Sequence, residues 1–493
     1  MPRIRELVSD TAIYGISSVV ARFINYLLVP FYTKFFAPGE YGIIGLIYGA
    51  IVFLNVIFTF GMESAYLRYG AKRERSKRVF ATLQLFLLMA SSVLVLIFWW
   101  ANPWVAPLMS VDGAEHLYLM MLSILWLDAL GIVPFAELRL IRKAWTYAII
   151  RLVNVCINVG LNLYLVIVLG MGLEAILISN IIASGFSLIA LLATTGNMLL
   201  ARPDMGLMKR ALLFGIPYIP AGLAYAINEV VDRFFLNQMS QEDISRIYGP
   251  EYTSEEITGI YNACYKIAIF MMLIVQMFRM AWQPFFMRHA ESEELKPTLS
   301  KVFTLFNAGA AVVFVSVSLF AQEIVAIRIP LLEATLIDSR YWMGLHIIPF
   351  LLLAYWFQGW YANFMPGIFI KEQTKKLPLI TMIGAVITIS LNIVLIPIFG
   401  MLGSAIATLT CYFGMSLLLL RQARIAFPVT YEFGKVALIM LISIIAVLLG
   451  TQTNFAFVTS IFGKVFILSL VIASAALLVF WDKALRIVSR QSE

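Results

Sequence analysis

The sequence is poor in charge, cysteine and histidine. Charged residues make up 13% of its 493 positions, and it has three cysteines and three histidines. Soluble chains carry about twice that share of charge, so a soluble multidomain protein is excluded. The cysteines, Cys156, Cys264 and Cys411, all fall inside apolar runs. This placement excludes a disulfide framework and a cysteine metal cluster.

Two sequence motifs are also missing. No glycine-rich phosphate loop precedes a Lys-Ser or Lys-Thr pair, which argues against an ATP-driven motor within the chain. No His-Cys or His-Glu cluster has the spacing of a metal site, so we expect neither metal nor cofactor. The net charge of +8 would suggest nucleic acid for a soluble protein. Here the bias of Lys and Arg toward one side of a membrane explains it without a nucleic-acid partner.

Apolar residues, by contrast, make up 61% of the chain and recur in long runs. Each run lasts about 20 residues, the length that a transmembrane helix needs, and lacks the alternation of a barrel strand. Because only helices and closed barrels satisfy the backbone in lipid, the sequence predicts an all-α integral membrane protein. The fourteen predicted spans are residues 12–33, 41–64, 79–101, 116–136, 147–169, 174–196, 211–235, 259–283, 302–322, 343–366, 378–397, 404–420, 434–451 and 461–481.

The positions of Lys and Arg predict the topology. The first apolar stretch, 11–32, is too long for a signal peptide and has no small-residue cleavage site, so we interpret it as a permanent span. The connection after span 2 is rich in cations and is expected in the cytoplasm: Arg68, Lys72, Arg73, Arg75, Lys77 and Arg78. Alternation from there places both termini in the cytoplasm. Most other Lys and Arg residues then fall on the same side.

The chain repeats itself six spans apart. Residues 161–176 match residues 391–406 at a constant offset of 230, and Gly42 and Tyr48 map onto Gly259 and Tyr265. Chance similarity between apolar segments is the alternative. Since six is even, the two copies have the same orientation, as in the parallel repeats of some transporters. We predict two six-helix lobes, 1–210 and 211–430, around a central cavity that works by alternating access. Helices 13 and 14 and a cytoplasmic tail follow as 431–493.

Charged residues inside a span need a reason, because each costs about 2.5–3.5 kcal/mol at mid-span. Arg22 lies near the middle of span 1, where Ser18, Arg22 and Asn25 share one helical face. We predict that Arg22 and Asn25 line the cavity and bind an anionic substrate. The alternative is a buried pair between Arg22 and a carboxylate such as Asp128 of span 4, which is also a candidate for ion coupling.

Span 5 carries a polar stripe on one face, at spacings of 3, 4 and 4 residues: Arg151, Asn154, Asn158 and Asn162. The repeat places small or polar residues at the matching positions of span 11: Thr381, Gly384, Thr388 and Asn392. Asparagine in a span often hydrogen-bonds a neighbouring helix, which is one interpretation. The other is a wet cavity wall, formed by the stripe of span 5 and by Asn392, whose amides suit sugar hydroxyls.

Spans 7 and 8 contain the remaining candidates. Pro217 and Pro220 are expected to kink span 7. At its outer end Glu229 and Arg233 are four residues apart and could pair, or else Glu229 or Asp232 binds a coupling ion. Lys266 of span 8 either extends to the outer interface or lines the cavity.

Two stretches resemble a known family. The first runs from Asp232-Arg233-Phe234-Phe235-Leu236 to the segment 259–268, Gly-Ile-Tyr-Asn-Ala-Cys-Tyr-Lys-Ile-Ala. It resembles the junction of spans 7 and 8 in bacterial polysaccharide flippases, which transport lipid-linked oligosaccharides and belong to the multidrug/oligosaccharidyl-lipid/polysaccharide (MOP) superfamily. The second runs from Arg22-Phe23 through Pro30-Phe31-Tyr32-Thr33 to Gly39-Glu40-Tyr41-Gly42 and is similar to the start of the same family.

This resemblance implies a V-shaped transporter of the bacterial inner membrane rather than an enzyme. The implied substrate is an oligosaccharide joined through diphosphate to a polyprenyl lipid, moved to the outer leaflet for O-antigen, capsule or exopolysaccharide synthesis. A polysaccharide polymerase and other assembly proteins are the implied partners. The anionic diphosphate would need cations inside the bilayer, which Arg22 and Arg151 could supply.

Three other functions remain as alternatives. A drug exporter of the same superfamily is expected to carry a carboxylate in its first span, where this chain has Arg22. A flippase for the peptidoglycan lipid precursor shares the fourteen-span plan. A membrane-embedded glycosyltransferase or polymerase would need a larger extracytoplasmic loop than the two longest outside connections, 237–258 and 323–342.

Overall fold

The computed structural model describes residues 24, 28–71, 73–111, 113–452 and 456–491. α-Helices dominate this part of the chain. They are α1 (Val29–Phe35), α2 (Pro38–Thr59), α3 (Met62–Tyr69), α4 (Arg73–Trp100), α5 (Asn102–Val105), α6 (Glu115–Leu140), α7 (Ala144–Leu163), α8 (Leu173–Thr195), α9 (Met205–Gly215), α10 (Tyr218–Asn237), α11 (Gln241–Ile247), α12 (Ser254–Tyr265), α13 (Ile269–Arg288), α14 (Leu295–Leu319), α15 (Ala321–Val325), α16 (Ile348–Ile370), α17 (Lys376–Phe399), α18 (Met401–Ala426), α19 (Phe433–Gln452), α20 (Ala456–Thr459) and α21 (Ile461–Gln491). The strands β1 (Arg328–Ile329) and β2 (Ala334–Thr335) form a short antiparallel pair.

The described helices confirm a multi-pass membrane protein. Eleven are long and apolar enough to cross a membrane, or twelve if the bent pair α9–α10 is one span. Predicted span 1 lies largely outside the described residues. Predicted span 10 corresponds to α16, a 23-residue helix. It is not among these eleven helices, because its Tyr, Trp, Gln and Asn residues lower its mean hydropathy. The all-α fold is therefore confirmed, while the count of fourteen stays a prediction.

The predicted kink of span 7 lies between α9 and α10, which meet at 42°. Asp204 begins α9, since its Oδ1 accepts a hydrogen bond from the backbone N–H of Leu207 at 3.0 Å. The same bond lowers the pKa of the Asp204 carboxyl. Pro217 caps α10 and Pro220 lies in its first turn, where a missing N–H costs no helical hydrogen bond. The two prolines thus end one helix and begin the next.

The chain forms two compact units, the first ending at Asn262 and the second beginning at Ala263. In the first unit, α6 packs on α2, α4 and α8, and α7 packs on α8. Its largest cores join α2 to α6 and α3 to α4 and α6. The predicted lobe boundaries at residues 210 and 430 follow the repeat, and that division stays a prediction.

In the second unit, α18 packs on both α16 and α17, and α14 packs on α16. The C-terminal helices α19 and α21 pack on α14 and on each other. Aromatic rings fill the space between α14, α16 and the start of α19, where the Phe303 ring lies 5.3 Å from that of Trp360 and 5.6 Å from that of Phe433. The appended helices therefore extend the apolar core of this unit.

Two glycines allow α2 and α12 to approach closely. A Cβ on Gly42 would collide with the backbone carbonyl of Glu255, and a Cβ on Gly259 would collide with the carbonyl of Pro38. The repeat equates these two glycines, and the fold brings them together. Glycine is needed at both positions because no side chain fits between the backbones.

Candidate functional site

A cavity opens inside the first unit between α2, α3, α6, α7 and α8. It holds about 680 Å³ of empty space, part of it open to solvent. Its polar and charged lining consists of Asn55, Glu63, Asp128, Arg139, Tyr147, Arg151, Ser184 and Ser187. The cavity combines two guanidiniums, two carboxylates and several hydroxyl or amide groups.

Helical periodicity explains why these residues meet. On α6 the lining positions lie three, four, seven and eleven residues after Asp128: Gly131, Ile132, Phe135 and Arg139. On α8 they lie three, four and seven residues after Ser184: Ser187, Leu188 and Leu191. Each series forms one stripe along its helix. Because α6 and α7 both pack on α8, the stripes face a common space.

Arg151 is the exposed cation of this cavity. Its guanidinium carbon lies 4.3 Å from the centroid of the Phe135 ring and 5.7 Å from that of Tyr147. Aromatic rings contact the face of a guanidinium, whereas its N–H groups donate within the plane. The rings therefore hold the cation and leave its hydrogen-bonding edge suited to a planar or phosphate anion.

Two serines of α8 connect the neighbouring helices. Ser184 donates to Oδ1 of Asp128 at 2.8 Å, and the amide of Asn154 donates to Oγ of Ser187 at 2.9 Å. Asp128 and Arg151, to which the sequence assigned different roles, thus line one cavity. Asn154 borders it through Ser187.

Glu63 and Arg139 form an ion pair at one side of the cavity. Sequence reasoning missed both residues, because Arg139 lies beyond predicted span 4 and Glu63 is the penultimate residue of span 2. A charge at a span end is usually explained by the interface. The signal that would have found Arg139 is its spacing from Asp128, which continues the stripe of α6.

Asn158 and Asn162 have a different environment. Asn162 is fully buried, and its amide donates to the backbone carbonyl of Asn158 at 2.8 Å and to its Oδ1 at 3.0 Å. Its own Oδ1 accepts from the hydroxyl of Tyr32 at 3.3 Å. This geometry corresponds to the helix-packing interpretation of the stripe, while a role in substrate binding stays a prediction for both residues.

The other predicted cavity residues lie elsewhere. Arg22 and Asn25 are outside the described residues. Lys266 and Asn392 belong to the second unit. Lys266 is half-buried in a 3₁₀ turn between α12 and α13. Asn392 is fully buried and donates to the carbonyl of Thr388 at 2.7 Å. The substrate-binding role of all four stays a prediction.

The ion-coupling candidates of span 7 lie in a buried network. Asp232 pairs with the adjacent Arg233 at 3.1 Å and accepts a hydrogen bond from the hydroxyl of Tyr261 at 2.7 Å. Arg233 donates to Oδ1 of Asn262 at 3.2 Å and reaches Glu229 through its backbone carbonyl at 2.9 Å. Arg233 therefore forms an ion pair with Asp232, and its pair with Glu229 stays a prediction. Ion coupling by Asp128, Glu229 or Asp232 stays a prediction.

Solved structures share this fold. One described as the lipid II flippase MurJ in an inward closed conformation aligns with a TM-score of 0.72 at 14% identity, over 96% of this chain and 99% of that chain. An inward-facing multidrug resistance MATE family transporter of the MOP superfamily aligns with a TM-score of 0.61 at 14% identity, over 84% and 94%. An outward-facing form aligns at 0.55 and 14%, over 86% and 94%.

These identities establish the fold alone, which is the MOP fold that the sequence resemblance implied. No curated protein matches the sequence. The profile of the family described as "Polysaccharide biosynthesis protein" matches residues 32–329, which is more than half of the chain. The match includes every lining residue of the cavity. The chain therefore belongs to the polysaccharide biosynthesis protein family.

Proposed function

We propose that the protein is a flippase for polyprenyl-diphosphate-linked oligosaccharide. It would move this lipid from the cytoplasmic to the outer leaflet for the synthesis of O-antigen, capsule or exopolysaccharide. The observation that supports this most is the exposed guanidinium of Arg151, held by two aromatic rings inside a polar cavity. Because the chain belongs to the polysaccharide biosynthesis protein family, we assign the cavity a role in polysaccharide assembly.

The chemistry of the cavity suits the parts of such a substrate. A guanidinium binds two oxygens of a phosphate through two parallel N–H donors. Side chains that both donate and accept, such as Ser184, Ser187 and Asn55, suit sugar hydroxyls. The polyprenyl tail needs no polar partner, because it stays in the lipid. A charged headgroup in this cavity avoids most of the cost of crossing hydrocarbon.

The predicted topology indicates from which side of the membrane the cavity would receive substrate. Arg139 and Glu63 lie near the ends of helices assigned to the cytoplasmic side, so the cavity would receive substrate from the inner leaflet. We further propose that the lobes 1–210 and 211–430 move by alternating access. The membrane would be a bacterial inner membrane, with both termini in the cytoplasm. Arg22, Asn25, Lys266 and Asn392 are further candidates for substrate contact. A polysaccharide polymerase is a proposed partner.

Transport of the peptidoglycan precursor lipid is the second candidate. The likeness to a lipid II flippase over 96% of this chain favours it, and both lipids share a diphosphate. Export of a cationic drug fits less well, because Arg151 has the sign that repels such a ligand. The two lipid substrates differ in their sugars, so a test must identify the lipid that accumulates.

The test is deletion of the gene followed by extraction of lipid-linked glycans. We expect the oligosaccharide lipid to accumulate on the cytoplasmic side, where glycosidase added to inverted vesicles can digest it. The wild-type gene should reverse the accumulation. Arg151→Ala should not, and Arg151→Lys should reverse part of it, because lysine keeps the charge but loses the planar fork.

Arg246→Ala is the matched control. Arg246 is also exposed, but it pairs with Asp243 within α11, away from the cavity, and this variant should complement fully. Accumulation of lipid II in place of the oligosaccharide lipid would favour the second candidate. If no lipid-linked glycan accumulates after deletion, the flippase proposal is wrong.

A further inference from the structure

The charged residues lining the cavity balance each other. Arg139 and Arg151 face Glu63 and Asp128. A doubly charged anion that entered without any rearrangement would meet two carboxylates as well as two cations. Like charges at close range cost free energy in a partly desolvated site. Binding of an anion therefore requires that a carboxylate move away from its cation or lose its charge.

Glu63 pairs with only one of the two N–H donors on one edge of the Arg139 guanidinium. Its Oε1 pairs with Nη2 of the guanidinium, whereas Nε is buried without a hydrogen-bond partner among the described residues. Nε and Nη2 lie on the same edge of a guanidinium, and together they bind two oxygens of a phosphate. A phosphate would satisfy both donors, and the carboxylate satisfies one.

The two carboxylates of the cavity are held differently. Asp128 accepts a hydrogen bond from Ser184 at 2.8 Å. The Glu63 and Arg139 side chains are 41% and 32% exposed, and exposed ion pairs contribute little to stability because water screens them. Glu63 also stands on α3, an eight-residue helix that begins after Gly61. It is the carboxylate that is easier to displace.

We propose that Glu63 is an exchangeable counter-ion of Arg139. In the empty cavity its carboxylate occupies the place of a phosphate, and the diphosphate of the substrate displaces it to bind Nε and Nη2 of Arg139 while Arg151 binds the other phosphate. Arg139 becomes a second anion-binding residue. The inference rests on the proposed function, because it assumes that the ligand carries a diphosphate.

Neutralising Glu63 should therefore strengthen anion binding. The full chain, purified in detergent, would be titrated with inorganic diphosphate by isothermal calorimetry. We expect Glu63→Gln to bind about fivefold more tightly than the wild type, which corresponds to the loss of one exposed competing ion pair. Arg139→Gln should bind at least about tenfold more weakly, since a charge-assisted contact is lost. In the double variant Glu63→Gln/Arg139→Gln the gain should disappear.

Asp243→Asn is the matched control, because Asp243 also pairs with an arginine at the surface of α11; its binding should equal that of the wild type. Thermal unfolding shows whether each variant is folded. If Glu63→Gln does not fold, Glu63→Asp keeps the charge with a shorter reach and should give a smaller tightening. Farnesyl diphosphate should show the same order of affinities if the site receives a lipid-linked ligand.

The outcomes separate the two proposals. Equal or weaker diphosphate binding by folded Glu63→Gln, with normal binding by the wild type, would overturn the exchange and leave the proposed function standing. An order of affinities seen with inorganic diphosphate but not with farnesyl diphosphate would overturn the exchange for a lipid ligand. Failure of every variant and of the wild type to bind either compound would overturn both.

Discussion

The two copies of the internal repeat share a buried asparagine and a turn glycine but differ in their chemistry. In the first copy Asn162 is fully buried and donates to the carbonyl four residues earlier, and Asn392 does the same in the second. Gly170 and Gly400 then both adopt positive φ, at 64° and 56°. Each copy thus has a glycine with positive φ between one long helix and the next.

The helices that lead into these turns differ. α7 brings Arg151 to the cavity wall and Asn154 to Ser187. At the position matching Arg151, α17 carries Thr381, whose hydroxyl donates to the carbonyl of Leu377 in its own helix at 3.0 Å. The repeat therefore preserves the buried asparagine and the turn glycine, and it does not preserve the cation of α7. Under the proposed function, anion recognition is concentrated in the first copy.

Replacing the cation of the first copy by the matching residue of the second should have the largest effect on transport. Arg151→Thr gives the first copy the residue of the second, and transport of the lipid-linked oligosaccharide should fall about tenfold to hundredfold, because a charge-assisted contact is lost. Thr381→Ala should stay within about twofold of the wild type, since that side chain carries no charge and bonds the carbonyl of Leu377 and the side chain of Tyr361. The rate of appearance of the lipid in the outer leaflet measures both. Equal losses in the two variants would contradict the asymmetry.

The two turn glycines should differ in their tolerance of alanine. Gly400 combines φ of 56° with ψ of −129°, a region that residues with a Cβ rarely enter, so Gly400→Ala should cost about 2–3 kcal/mol. Gly170 also has positive φ, but the space that a Cβ would occupy is open, so Gly170→Ala should cost about 1 kcal/mol. Thermal unfolding in detergent compares them. A larger loss at Gly170 than at Gly400 would contradict this order.

The buried asparagines provide the smallest and sharpest comparison. Asn162→Leu removes bonds to Asn158 and leaves the hydroxyl of Tyr32 without its acceptor, so it should cost about 1 kcal/mol. Asn392→Leu should cost about half as much, roughly 0.5 kcal/mol, because Oδ1 of Asn392 already has no partner among the described residues. Equilibrium unfolding measures both. An equal cost would mean that the Tyr32 bond contributes nothing.

Much of the fold is predictable because lipid constrains it. Apolar runs of about 20 residues can only be helices there, and Pro217 and Pro220 predicted the kink between α9 and α10. The site is less predictable. Arg151 and Asp128 were found singly because each is costly within a span, but their common cavity was not. Glu63 and Arg139 were missed because charges near span ends look like interfacial anchors.

The charges of span 7 show a further limit of helical spacing. The spacing of four residues favours a pair between Glu229 and Arg233, which stays a prediction, and the structure shows in addition an ion pair between Arg233 and the adjacent Asp232. Adjacent residues point in different directions along a helix, and Tyr261 and Asn262 of α12 bind the side chains of Asp232 and Arg233 respectively. Helical spacing cannot show a partner that comes from another helix.

The sequence by itself determined that the chain is helical, membrane-embedded and internally repeated. Hydropathy and identity at a fixed offset are local properties, and lipid leaves the backbone few alternatives. Only the tertiary structure decided that residues of α6, α7 and α8 face one space. It also places Arg151 over two aromatic rings and pairs Glu63 with one nitrogen of the Arg139 guanidinium. Such contacts depend on how helices rotate and pack, which apolar patterns at this high hydrophobicity do not specify.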